Sequence, residues 1–113
     1  MFEALKNLGN LPGLLSQARQ IQEKMQQAKE ELARKTVTAD AGGGMVEATV
    51  NGRLELVKLR IDPTKVDLKD VEMIEDLTVA AVRAAQAKAN DMIQKEMEKV
   101  TGGLPIPPGM FGG

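Results

Sequence analysis

The stretch TVTADAGGGMVEATVNGRLELVKLRI, residues 36–61, decides the fold. Apolar and polar residues alternate through it, the period of a strand with one buried face. Thr36–Ala41 reads as a first strand, with Val37, Ala39 and Ala41 on one face. Gly42-Gly43-Gly44 reads as a turn. Met45–Val50 reads as a second strand, setting Val46, Ala48 and Val50 against Met45, Glu47 and Thr49. Asn51-Gly52 matches a type I′ hairpin turn. Arg53–Ile61 reads as a third strand whose apolar phase starts at Leu54 and Leu56 and shifts to Val57, Leu59 and Ile61. A one-residue shift flips the buried face. Either a bulge sits near Val57, or the second half of the strand is covered on both sides, which points to a partner subunit.

Helical periods flank this meander. Upstream, Leu14, Ala18, Ile21, Met25, Ala28 and Leu32 recur at spacings of 4, 3, 4, 3 and 4. That is a heptad seam on a helix of roughly 33 Å. Glu30–Arg34 and Glu31–Lys35 are i,i+4 pairs in the favoured orientation. Downstream, Asp67 is read as an N-cap, with Asp70 and Glu72 close behind, all favourable near a helix start. The pattern then runs through Val71, Ile74, Leu77, Ala81, Ala84, Ala85, Lys88 and Met92 to Val100, with a break near Met73 left open. Residues 1–13, interrupted by Gly9, Pro12 and Gly13, read as a flexible lead-in. Residues 102–113, GGLPIPPGMFGG, read as a disordered Gly/Pro-rich tail. The expected class is α+β: one domain over residues 14–101, ordered α-β-β-β-α, with a three-stranded antiparallel meander between two long helices.

Composition narrows the function. The 113 residues include no His, no Cys, no Trp and no Tyr, and Ser16 is the one serine. The commonest general base, the commonest metal ligand and the thiol nucleophile are thus all missing. A binding or assembly protein is expected rather than an enzyme, with no cofactor, metal or small-molecule substrate. Gly42-Gly43-Gly44 lacks the GK[ST] ending of a phosphate loop and leads into a strand. Glu72 and Asp76 share a helix face, but no other clustered ligand completes a metal set. No stretch is long and apolar enough to span a bilayer and no targeting peptide is visible, so a cytoplasmic protein without membrane contact is expected. With aromatics at 2%, the core must be aliphatic and thin, which favours oligomerisation.

Net charge is −1, yet it is unevenly spread. Residues 1–35 carry six basic and four acidic side chains, while residues 67–100 carry five and eight. The first helix presents five glutamines, Gln17, Gln20, Gln22, Gln26 and Gln27, beside its cations. The commonest explanation of such a face is a solvated surface laced with ion pairs. The sharper reading is a sequence-tolerant DNA surface, since long cationic and amide side chains reach phosphate oxygens without reading bases. Its candidate residues, chosen by charge and helix face, are Arg19, Lys24, Lys29, Arg34 and Lys35 on the first helix and Arg83, Lys88, Lys95 and Lys99 on the second. Without aromatics to stack on bases, duplex is favoured over single strands.

Five landmarks stand in order: LLSQARQIQEKMQQAKEEL at 14–32, GGGMVEATVNG at 42–52, IDP at 61–63, EDLTVAAVRAA at 75–85 and GGLPIPPGMF at 102–111. Together they resemble the YbaB/EbfC family of nucleoid-associated proteins. That resemblance implies an intertwined homodimer with long helices projecting as pincers. It also implies binding to double-stranded DNA with little sequence preference, a place on the bacterial nucleoid, and no enzymatic activity. The competing reading is a prefoldin-like helical holdase or protein–protein adaptor that does not bind DNA.

Overall fold

The computed structural model describes residues 11–101. Within them the order is α1 (Leu11–Arg34), β1 (Thr36–Ala41), β2 (Val46–Asn51), β3 (Leu56–Ile61) and α2 (Val71–Thr101). The sheet is an antiparallel meander in the order β1-β2-β3. This is the expected α-β-β-β-α architecture. The tail from Gly102, and the lead-in before Leu11, lie outside the described residues.

Besides the extension of β2 by one residue to Asn51, the structure differs from the sequence reading in four places, each for a local reason. Helix α1 starts at Leu11, so Pro12 and Gly13 lie in its first turn. Proline is tolerated there because the first-turn N–H has no helical partner to lose. Strand β2 begins at Val46 because Gly42, Gly43 and Gly44 all take positive φ (66°, 64° and 92°), and Met45 completes a four-residue loop. Strand β3 begins at Leu56 rather than Arg53, and the second hairpin is not type I′. Its loop is Gly52-Arg53-Leu54, closed by Asn51 N–H donating to the Glu55 carbonyl at 3.0 Å, with Leu54 left-handed at φ 64°. That is a three-residue loop. The Asn51 side chain supports it. Its Oδ1 accepts the Arg53 and Glu55 amides at 2.9 and 3.0 Å, and its Nδ2 donates to Glu55 Oε1. The fourth difference is the cap of α2. Asp70 does the capping, its Oδ1 accepting Met73 N–H at 3.1 Å, while Asp67 Oδ1 accepts Lys69 N–H in the preceding turn. Helix α2 then runs unbroken for 31 residues, about 46 Å.

The phase shift in β3 is a bulge. Thr49 pairs with Lys58 and Val50 with Leu56, so Val57 is skipped. The bulge puts Leu56, Leu59 and Ile61 opposite Val50, Ala48 and Val46, on the core face of the sheet. That face is only partly covered. Ala81, Ala85 and Ala89, four residues apart on α2, are fully buried against Ala39, Val46, Ala48 and Val50. Leu56, Val57, Leu59 and Ile61 on β3 stay exposed.

A second cluster joins the helices. Ala28 and Leu32 of α1 pack on Met97 of α2, with Met92, Ile93 and Val100 around them. The heptad seam is therefore used only at its C-terminal end, and Leu14 is 52% exposed. The Gly52 amide donates to the Leu32 carbonyl at 2.8 Å, tying the second hairpin to the end of α1. A Cβ at Gly52 would overlap the Leu32 carbonyl and Cβ. Gly52 thus serves close approach, not a left-handed turn.

Two glycines with different jobs predict different costs. Gly43 faces open space, so Gly43→Ala should lose about 1–2 kcal/mol from its left-handed φ alone. Gly52→Ala must push the hairpin off α1 and should lose more in the same urea titration. Equal midpoints for the two variants would contradict this packing account.

Candidate nucleic-acid interface

The antiparallel meeting of α1 and α2 brings some of the nine candidate cations together and separates others. Lys35, Lys88, Lys95 and Lys99 line one open groove of about 480 Å³ with Asp91 and Glu96. Four cations against two acids give this groove a local charge of +2. Lys24 lines an adjoining groove across the α1–α2 seam with Lys99, where Glu31 and Glu96 balance the two cations. Lys29 sits five residues from Lys24, about 140° around the helix, and lines a different groove beside Arg53. Arg19 is exposed on the N-terminal half of α1, Arg34 is exposed at its last turn, and Arg83 is exposed on α2. The four α1 cations therefore do not form one face, and Lys35, read from the sequence as part of that helix, lies just past its end.

Partners differ as well. Lys35 Nζ donates to Glu96 Oε2 at 3.2 Å, reaching across to α2 instead of back to Glu31. Lys99 Nζ lies 3.8 Å from the same oxygen. The Glu96 side chain is 12% exposed, against 46% for Lys35 and 75% for Lys99. The Lys35 hydrogen bond holds the Glu96 carboxyl below its ordinary value, against the opposing effect of burial. Lys88 Nζ donates to the Thr38 carbonyl at 3.0 Å, a backbone group of β1 on the outer edge of the sheet. A lysine there blocks pairing with another strand.

Sequence reasoning passed over four residues on or near this surface. Glu96 looked like one acid among many, and nothing in its spacing signals a cross-helix partner. Arg53 follows the hairpin glycine and is carried to Lys29 by the Gly52–Leu32 contact. Lys58 and Arg60 lie on the polar side of the sheet with Thr38, Glu47 and Thr49. Thr38 and Thr49 hydroxyls share a 2.9 Å hydrogen bond there, and Arg60 sits 3.7 Å from Glu47. Among the described residues no group of three or more acidic side chains is placed to hold a metal ion. None of their helices is long and apolar enough to cross a membrane.

Comparisons with known proteins bear on this arrangement. The model of the YbaB/EbfC DNA-binding family matches residues 7–104. A nucleoid-associated protein of Thermoanaerobacter pseudethanolicus is 53% identical over 102 residues, covering 90% of this chain and 91% of that protein. One from Paramagnetospirillum magneticum is 49% identical, covering 93% and 95%. The crystal structure of an uncharacterized protein of Helicobacter pylori superposes with a TM-score of 0.66 at 26% identity, covering 83% of this chain and 96% of that one.

The Lys35–Glu96 contact carries a pH signature. A carboxyl with a lowered folded-state pKa adds stability that is present above its unfolded value, near 4.5, and lost as pH falls through the folded value. Melts from pH 7 to pH 3 should show wild type above Glu96→Gln at neutral pH. The gap should close as pH falls below about 4.5. A gap that widens on acidification would contradict the assignment.

Proposed function

The chain belongs to the YbaB/EbfC DNA-binding family, and from that premise we propose that it binds double-stranded DNA as a homodimer, largely without sequence preference, by phosphate contacts from its basic helix surfaces. It is a nucleoid-associated DNA-binding protein by family, and the family is not an enzyme family. The nucleoid is accordingly its proposed location.

The observation that carries the reading is the groove shared by Lys35, Lys88, Lys95 and Lys99. It concentrates cations on a chain whose formal net charge is −1. Such cations draw affinity from release of the counterions condensed on the duplex. Lys95 is exposed and Lys99 mostly so, and both reach solvent on long, flexible stems suited to phosphate oxygens. Lys24 stands beside this groove on α1, in a second one shared with Lys99 where Glu31 and Glu96 offset the charge. Arg19, Lys29, Arg34 and Arg83 lie away from this groove and are proposed as outlying contacts.

The homodimer is supported by the uncovered β3. Its exposed Leu56, Val57, Leu59 and Ile61 form an apolar row on an edge strand. Three of them share the core face, where α2 leaves them bare. Such a patch marks an interaction site. A second copy doubles the basic grooves and adds their phosphate contacts. Exposed Leu11, Leu14 and Leu15 on α1 favour a second reading, a holdase gripping apolar segments. Suppression of client aggregation without DNA retention would select it.

Mobility shifts on several unrelated duplexes over a salt series test the proposal. Affinity should fall steeply with salt and hardly vary with sequence. Lys95→Gln should weaken all duplexes alike and lower the salt slope by about 1. Binding that ignores salt, or none at low salt, would sink the reading. Ile61→Glu should shift the sedimenting species from dimer to monomer, whereas a wild-type monomer at micromolar concentration would contradict the β3 interface.

A further inference from the structure

Glu96 is an odd neighbour for a DNA surface. Its side chain lines the lysine groove and also the adjoining one with Lys24. One oxygen, Oε2, serves both Lys35 at 3.2 Å and Lys99 at 3.8 Å. The acid lies underneath at 12% exposed, and the two ammoniums lie above it, still open to solvent. Each ammonium has three donors, so the contact with Glu96 leaves others directed outward. A phosphate arriving from solvent meets these open sides first.

We propose that Glu96 is an internal counter-anion and positioning residue of this interface, holding Lys35 and Lys99 together over the groove and partly neutralising them until a DNA phosphate takes over the charge. The inference rests on the DNA-binding reading and deepens it. Two consequences follow from the charge balance. A lysine already balanced by a carboxylate contributes less than a full charge to counterion release. Affinity is therefore held below what the lysine set alone would give. Removing the negative charge while keeping the shape raises the groove from +2 to +3. Glutamine does this, since its Oε1 still accepts a hydrogen bond from Lys35. Other acids lining these grooves are Asp91, beside Lys95 and Lys99, and Glu31, in the adjoining groove with Glu96.

The test compares full-length wild type and Glu96→Gln on one duplex across a salt series, with a thermal melt to show that both are folded. The expected result is several-fold tighter binding by Glu96→Gln at low salt. Its salt slope should be steeper by up to about 0.9, the value for one further phosphate neutralised. A merely structural role would weaken binding and leave the slope where it was, and that result overturns the proposal. Lys99→Gln supplies a second readout. It should cost little affinity in wild type and more in the Glu96→Gln background, whereas equal costs in both backgrounds overturn the proposal. If wild type binds with a salt slope and Glu96→Gln matches it, the counter-anion role alone fails. If wild type does not bind duplex at any salt, the DNA reading fails and this inference with it.

Discussion

The row Ala81, Ala85 and Ala89 sets how close α2 lies to the sheet, and the other features follow from that closeness. Methyl groups replace larger side chains along the contact line, so the helix sits down on β1 and β2. Its buried partners, Ala39, Val46, Ala48 and Val50, are small as well. A core of this kind is thin, and each lost methylene weighs more in it. It also has one helix to cover three strands. Covering β1 and β2 leaves the apolar row of β3 bare, which is the strongest physical argument for a second subunit.

The same helix then outruns the sheet. Beyond Ala89 it meets the last turns of α1 through Met97, Ala28 and Leu32. This second contact gathers the basic groove, because it places Lys35, at the junction of α1 and β1, over Lys95 and Lys99 of α2. Charge on this protein is therefore a local matter. The start of α2 carries Glu72, Glu75 and Asp76 with no lysine among them, while its lysines, Lys88, Lys95 and Lys99, lie toward its end, interleaved with Asp91, Glu96 and Glu98. Among these three acids, Glu96 is held between two lysines. Its low exposure and two lysine partners give it a part in organising the basic surface.

Much of the fold was legible in the residues. Period 2 marked the strands, period 3.6 the helices, and the phase slip at Leu56-Val57 left a bulge and two-sided burial as alternatives, of which the register shows the bulge. These signals are local and carried by side-chain polarity. What the sequence misplaced depends on contacts between distant segments. Asn51-Gly52 has the composition of a tight left-handed turn, yet Gly52 is required by the Leu32 backbone, and Leu54 takes the positive φ. Asp67 and Asp70 are both good capping residues, and backbone geometry chose Asp70. Glu31–Lys35 was the obvious i,i+4 pair, but the docking of α2 offered Lys35 a less exposed carboxylate. The basic surface was legible as a set of cations and not as a shape. Nothing along α1 indicates that Lys24 and Lys29 flank different grooves, or that Lys88 is tied to the Thr38 carbonyl.

The central claim is that duplex DNA lies along the lysine groove at the meeting of α1 and α2. Amide chemical-shift mapping during titration with a mixed-sequence duplex tests it most directly. The account predicts the largest shifts around Lys35, Lys95 and Lys99, with Lys24 next, and little change along β3. Shifts confined to β3 or to the N-terminal half of α1, with the groove silent, would contradict it.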